Sequence, residues 1–178
     1  GQPNASGPSL RIDWIDILSF ADQMPPCMYA GAEMGDGQLT GWSRFDGEER
    51  NRRSVMAIKQ DVKLLNDNIV KYTVEETLKR IMARRELRVA EIDYFLPHYS
   101  SEFFREPLAR GLANADLPIP QERWFTNLTS KGNTGAASIF IILEELFNGG
   151  SLRSGQRLLC YVPESGRFSS AFMHLTVV

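Results

Sequence analysis

The segment 136–147 is apolar around almost its whole circumference when it is drawn as a helix. Gly149 and Gly150 follow it, and glycine is common just past the C-terminus of a helix. An outer helix of a two-layer domain keeps a polar face, whereas a helix without one is buried on all sides. The segment therefore predicts a central helix between two sheets. The chain supplies strands for one sheet only, so we expect something else to supply the second.

The rest of the sequence alternates between strand and helix patterns. Runs of apolar or alternating residues predict strands at 10–20, 89–96, 122–128, 157–162 and 170–178. Helical spacing predicts a long amphipathic helix over 55–85, broken near Lys71, and a second helix over 101–113. This order predicts an α/β fold with a layered mixed sheet and a buried central helix.

Composition excludes several classes of protein. The chain has 178 residues, 43% of them hydrophobic, which suits one soluble domain over 10–178 behind a polar, flexible leader at 1–9. A formal charge of −2 argues against nucleic acid or a membrane surface as the main partner. Two cysteines and two histidines, all far apart, predict neither a metal site nor a disulfide scaffold. We expect a cytoplasmic protein that needs no cofactor.

Two short motifs carry the chemistry. Pro97-His98-Tyr99-Ser100 ends an apolar strand pattern, and the run 132–138 (GNTGAAS) opens the apolar helix. His98 and Asn133 each stand at an element boundary, where both could donate hydrogen bonds to one small anion. This pair suits carbonyl chemistry but lacks a nucleophile. The alternatives are a buried histidine that caps the following helix, and an asparagine that serves a Gly-Asn turn.

From about Val55 to the C-terminus, the chain resembles the C-terminal half of type III ketoacyl synthases, members of the thiolase superfamily. The resemblance rests on these motifs, their order and their separation. The matching runs are 92–98 (IDYFLPH), 132–138 and Gly155-Gln156. The tail 163–168 most resembles the branch that makes dialkylresorcinols and aryl polyenes. The resemblance implies a thiolase-like half: one of two similar α/β halves that pack as five layers. It also implies that the nucleophilic cysteine belongs to an N-terminal half outside this sequence.

The resemblance implies decarboxylative Claisen condensation of an acyl thioester with a malonyl or ketoacyl thioester. His98 and Asn133 would hold the enolate oxyanion, and Ser165 with Gly166 would form the loop that binds the acyl oxygen. The expected partners are the N-terminal half, an acyl carrier protein or coenzyme A thioesters, and a second copy of the complete enzyme. The family's docking residues after the histidine are replaced here, so Arg105 or Arg110 is the candidate for binding a carrier protein.

Other interpretations of these residues and of the function are possible from the sequence. Cys27 follows Pro25-Pro26 without a helix signal, so we predict a buried structural cysteine and not a nucleophile. Cys160 and His174 lie in strand patterns and are predicted to be structural. The main functional alternative is a non-catalytic thiolase-fold subunit or fragment that shapes or stabilises a partner synthase. An unrelated α/β binding module would expose no apolar face, which the segment 136–147 argues against.

Overall fold

The computed structural model describes residues 2–178. Its strands are β1 (Leu10–Ser19), β2 (Met28–Tyr29), β3 (Ala32–Gly35), β4 (Gln38–Gly41), β5 (Lys59–Gln60), β6 (Tyr94–Pro97), β7 (Arg157–Glu164) and β8 (Ser169–Val177). Its α-helices are α1 (Gly47–Arg52), α2 (Val62–Val70), α3 (Thr77–Met82), α4 (Arg105–Asn114), α5 (Leu128–Lys131) and α6 (Ser138–Asn148). A π-helical segment, Lys71–Glu76, joins α2 to α3.

A four-stranded mixed sheet organises the domain, in the order β1-β8-β7-β6. β6 and β7 run parallel, whereas β7 with β8 and β8 with β1 are antiparallel. This confirms the predicted first strand and the predicted terminal pair. Ser9 and Val178 exchange two backbone hydrogen bonds, of 2.8 and 2.9 Å, so sheet pairing begins one residue before β1. Residues 2–8 are exposed.

Helices cover the two faces of the sheet, and each face has its own core. On one face α2, α3, α4 and the π segment pack against strand residues such as Phe95 and Tyr161. On the other face Ile142 of α6 packs against Leu96 and Cys160. Phe95 and Leu96 are adjacent and both fully buried, because successive side chains of a strand point to opposite faces. The sheet is therefore the middle layer of a three-layer α/β arrangement.

The apolar helix α6 is buried on one side only within this chain. Ile139, Ile142 and Leu146 lie against the sheet and are 2–4% exposed. Phe140 faces away from the sheet and is 69% exposed. The sequence predicted burial on every side. Within residues 2–178, however, nothing covers the outer side of this helix.

The edge strand β1 leaves a second apolar surface open. Its register with β8 shifts between Ile12 and Trp14, a bulge at Asp13 that turns Trp14 to the α3 face. Ile12, Ile15 and Ile17 point to the α6 face and are 60%, 47% and 74% exposed. Helix α6 packs mainly against β6 and β7 and leaves these isoleucines exposed. The open surface of Ile12, Ile15, Ile17 and Phe140 is called the uncovered face below.

Three predicted elements are corrected by the structure. The strand predicted over 89–96 is a 3₁₀ turn at Val89–Glu91, and β6 begins only at Tyr94. The long helix begins at Val62 and not at residue 55, and its predicted break is the π segment. Buried Thr73, in the π segment, binds Tyr161 Oη (2.6 Å), and buried Thr77, the first residue of α3, binds Ser170 Oγ (2.9 Å). These contacts join the π segment and the start of α3 to the sheet, which helical spacing alone does not reveal.

The predicted strand at 122–128 is wrong. The segment makes a single bridge to β6, between Trp124 and Phe95. The segment begins in a 3₁₀ turn, Gln121–Arg123, in which Arg123 N donates to Pro120 O (3.0 Å) and Trp124 N donates to Gln121 O (3.1 Å). The Arg123 guanidinium donates to the backbone carbonyls of Val89 and Ile92 at 2.8 Å. The segment ends at Leu128, where α5 begins.

Candidate active site

His98 sits where β6 ends. Its backbone N–H donates to Tyr161 O at 2.8 Å, which continues the parallel pairing with β7 by one residue. The side chain is 6% exposed, and this burial lowers the pKa of His98, so the neutral imidazole prevails at pH 7. Within residues 2–178, no side chain caps the 3₁₀ turn Glu102–Phe104 or helix α4 that follow. The helix-capping alternative for His98 is therefore wrong.

Asn133 lies in the loop before α6, between two glycines with positive φ. Gly132 has φ +78° and Gly135 has φ +62°, a conformation that side chains rarely adopt. Asn133 Oδ1 accepts from Gly135 N at 2.9 Å, so the turn role expected of a Gly-Asn pair is confirmed. That contact fixes the amide orientation: Oδ1 is used by the turn, and the side-chain N–H₂ remains as a donor.

His98 and Asn133 line the same cavity, which also takes in Ser165. The cavity has a volume of about 400 Å³, within the usual range for small-molecule sites. Apolar side chains from α2 and from the residues around α4 form much of its wall: Leu65, Ile69, Val70, Phe104 and Leu108. Sequence motifs located the polar groups but missed these walls. Their helical spacing was visible in the sequence, yet it indicated only burial.

The loop after β7 meets the cavity through Ser165 and not through Gly166. Gly166 is buried, and its backbone N–H donates to the Glu164 carboxylate. The same carboxylate accepts from Arg167 N at 3.2 Å, and Gly166 O accepts from Cys27 N at 2.8 Å. The Gly166 N–H is therefore engaged within its own loop. Glu164 also lines the cavity, a residue that the sequence motifs did not single out.

The two candidate docking arginines have different surroundings. Arg105 is half-buried: it donates to Gln121 Oε1 (2.7 Å) and Tyr99 Oη (3.1 Å) and lies over the Trp124 ring. Arg110 is exposed on α4, beside a second, open groove between α2 and α4. The guanidinium of Arg105 thus has internal partners, whereas Arg110 faces the surface.

Neither cysteine lines the cavity in the described part of the chain. Cys27 is fully buried, its Sγ lies 3.3 Å from Asp61 O, and burial raises the pKa of its thiol. Burial raises the pKa of Cys160 to about 12. Both are structural, as predicted. His174 also has a structural setting: Nδ1 lies 2.9 Å from Asp13 Oδ2, and the ring stacks on Trp14.

Two general findings bear on the class of protein. Among residues 2–178, no group of three or more His, Cys, Asp or Glu side chains is arranged to hold a metal ion. In the same range, no helix is both long enough and apolar enough to cross a membrane.

Comparison with known proteins identifies the family. Residues 82–170, half of the chain, match the model of the C-terminal domain of 3-oxoacyl-[acyl-carrier-protein] synthase III. The chain belongs to this family. The resemblance seen in the sequence is thereby confirmed at the level of the family, whereas the dialkylresorcinol and aryl polyene branch stays a prediction.

Relatives and solved structures agree with this assignment. The β-ketoacyl-[acyl-carrier-protein] synthase III of Acholeplasma laidlawii is 27% identical over 143 residues, covering 75% of this chain and 43% of the relative. The same enzyme from Thermus thermophilus aligns with TM-score 0.67 and 18% identity, over 99% of this chain and 48% of that one. OleA of Xanthomonas campestris, solved with lauric acid and lauroyl-CoA, aligns with TM-score 0.67 and 18% identity, over 94% and 41%.

These comparisons define the fold and its extent. The structural likenesses confirm a thiolase-like α/β fold with a mixed sheet, the fold class predicted from the sequence. The chain spans less than half the length of each of these three relatives.

Proposed function

We propose that the chain is the C-terminal catalytic half of a 3-oxoacyl-acyl-carrier-protein synthase III-like enzyme. The single observation that carries the proposal is that His98 and Asn133 line one cavity. They come from two motifs that lie far apart in the sequence. A buried neutral imidazole and an amide whose oxygen is already bound are both suited to donating N–H groups to an oxyanion.

In the proposed reaction an acyl group is held as a thioester on a cysteine of an N-terminal half. A malonyl thioester loses carbon dioxide, and the electron pair of the broken C–C bond forms an enolate. The enolate carbon attacks the acyl carbonyl carbon, a new C–C bond forms, and the cysteine thiolate leaves. His98 and Asn133 stabilise the enolate oxygen through hydrogen bonds, and neither changes its charge. A ketoacyl thioester could replace the malonyl group, with a proton lost in place of carbon dioxide.

The N-terminal half is proposed to pack on the uncovered face. Ile12, Ile15, Ile17 and Phe140 are each between 47% and 74% exposed, and large exposed apolar surfaces in soluble proteins mark interaction sites. Burying them against a second α/β layer would give α6 the all-round cover that its sequence predicts. A homodimer of the two-half enzyme is part of the same proposal.

A carrier protein or coenzyme A thioester is the proposed acyl donor. Arg110 is the better of the two candidates for docking an acidic carrier protein, because its guanidinium is exposed. Arg105 is held by Gln121 and Tyr99 and is better placed to support the residue next to His98. Arg110→Glu should raise the KM for a carrier-protein thioester and leave that for a coenzyme A thioester unchanged.

One observation favours the alternative, a non-catalytic subunit that shapes a partner synthase. The loop expected to bind the acyl oxygen offers Ser165 alone, since Glu164 occupies the Gly166 N–H. A carboxylate on the cavity wall also disfavours a second negative charge nearby. In this alternative His98 and Asn133 keep their positions but contact no substrate.

Two measurements in sequence test the proposal. Native mass spectrometry of the protein purified from its own cells should show a second polypeptide with a reactive cysteine, bound to this chain. Release of carbon dioxide from a labelled malonyl thioester is then measured for that assembly.

Asn133→Asp is the sharpest variant, because the carboxylate can still accept from Gly135 N–H while the donor is lost. We expect Asn133→Asp and His98→Ala each to reduce the decarboxylation rate by about 100-fold or more. His174→Ala, in the other histidine, is the matched control and should leave the rate per folded molecule unchanged. Full turnover in both site variants would establish the non-catalytic subunit instead.

A further inference from the structure

The cavity has a polar rim and an apolar interior. Its exposed lining residues include Gln60, Ser100, Asn133 and Glu164, whereas Leu65, Ile69 and Leu108 are 2–8% exposed. The Tyr161 hydroxyl, also on the wall, is already bound to Thr73 Oγ1 at 2.6 Å. Away from His98, an interior of this kind favours a flexible alkyl chain over a polar group, because its walls are the apolar side chains of Leu65, Ile69 and Leu108.

Val70 lies between this interior and a neighbouring groove. Its side chain lines the cavity and also borders the open groove that contains Arg110 and Gly111. Val70 therefore lies between the apolar part of the cavity and the solvent-exposed groove. It is the last residue of α2, directly before the π segment, so its backbone is fixed by the contacts of that segment with the sheet.

Gly111 holds Val70 in this position. A Cβ atom at Gly111 would lie 2.3 Å from Val70 Cγ1, which shows how closely α4 approaches at this point. A valine in a helix has one strongly preferred side-chain rotamer, so Val70 cannot easily swing aside. The Val70–Gly111 contact is thus a rigid wall between the cavity and the groove.

We propose that Val70 is a specificity-determining residue that fixes the length of the alkyl chain this half accepts. The occupant is a straight alkyl chain of a thioester substrate, with its thioester near His98 and its end against Val70. This inference rests on the proposed function for the identity of the thioester, although alkyl binding itself can be measured separately.

The test uses the 178-residue chain and a series of alkyl pantetheine thioethers, from butyl to hexadecyl, whose dissociation constants are measured by calorimetry. Each added methylene that enters the cavity should tighten binding by up to about fourfold, equivalent to about 0.8 kcal/mol. Affinity should stop rising at the length where the chain reaches Val70. That length is called the break point.

Two variants should move the break point in opposite directions. Val70→Ala opens the cavity to the groove and should move the break point to longer chains, whereas Val70→Leu should move it to shorter ones. Val62→Ala, the same substitution at an exposed position of α2, is the matched control and should leave it unchanged. If Val70→Ala does not fold, as judged by circular dichroism, Val70→Leu still decides the question.

The outcomes separate this inference from the proposed function. An unchanged break point in both Val70 variants, or affinity that does not depend on chain length, overturns the assignment of Val70 even if His98→Ala abolishes decarboxylation. A break point that moves as expected supports the assignment. If His98→Ala then retains full turnover, the cavity binds alkyl chains and the condensation role fails.

Discussion

The close contact between α4 and α2 can be tested directly with Gly111→Ala. The substitution adds one methyl group in a buried helix position, where its carbon would lie 2.3 Å from Val70 Cγ1. Carbon atoms in favourable contact are about 3.5–4.0 Å apart, so the two helices or the Val70 side chain must move by more than an ångström. The second-nearest atom, Val74 Cγ1, lies at 3.5 Å and is already an ordinary contact.

Two effects of opposite sign decide the result. Alanine favours a helix interior over glycine by about 1 kcal/mol. Overpacking of a well-packed core costs about 1–3 kcal/mol, and the upper end applies here because Val70 has a restricted rotamer. We therefore expect Gly111→Ala to lower the free energy of unfolding by about 1–2 kcal/mol.

Urea unfolding followed by circular dichroism measures this change, and Val70→Ala provides the control background. Without the Val70 methyl groups the clash is gone, so Gly111→Ala should there be neutral or stabilising by up to about 1 kcal/mol. The assignment of this contact would be refuted if the Gly111→Ala variant were as stable as the parent protein. It would also be refuted if Gly111→Ala lowered the free energy of unfolding equally in both backgrounds.

Three further outcomes are expected. Burial lowers the pKa of His98 below its unfolded value of about 6.5. The free energy of unfolding should therefore fall as the pH drops below that value, and His98→Gln should reduce this pH dependence in a series of urea melts. Hydrogen bonds from Arg85 hold the pKa of Asp16 low. Asp16→Asn should therefore lower the free energy of unfolding by about 1–2 kcal/mol at pH 7, and by less once the pH falls below the Asp16 pKa. Thermal or urea melts measure this change, and an unchanged midpoint would contradict it. Cys27 and Cys160 are buried with raised pKa values, so iodoacetamide at pH 7.5 should label neither in the native chain and both in denaturant, as intact mass would show.

The motifs that contain His98 and Asn133 could be recognised in the sequence because each marks a boundary between elements. His98 follows the last residue of a buried strand, and Asn133 precedes a strongly apolar helix. Strand and helix periodicity are local properties, so both positions could be assigned without knowing how the elements pack. Their convergence on one cavity rested on the family resemblance, and the structure agrees with it.

Local patterns failed where particular backbone hydrogen bonds decide the conformation. Residues 122–128 have strand composition, but Arg123 N and Trp124 N bind Pro120 O and Gln121 O in a 3₁₀ turn, and a single bridge to β6 remains. The loop expected to offer the Gly166 N–H has that group bound by Glu164. Neither set of hydrogen bonds follows from periodicity, because each depends on which donor meets which acceptor in the folded chain.

The sequence by itself determined the family, the fold class and the incomplete cover of α6, since each depends on residue types in a fixed local order. The tertiary structure decided the shape of the cavity. Thr73 and Tyr161, 88 residues apart, bind each other at 2.6 Å, and Gly111 meets Val70 across two helices. Contacts of this kind form only when separate elements pack, and close packing sets their distances to within a fraction of an ångström. For that reason the wall at Val70 could be found only in the folded protein.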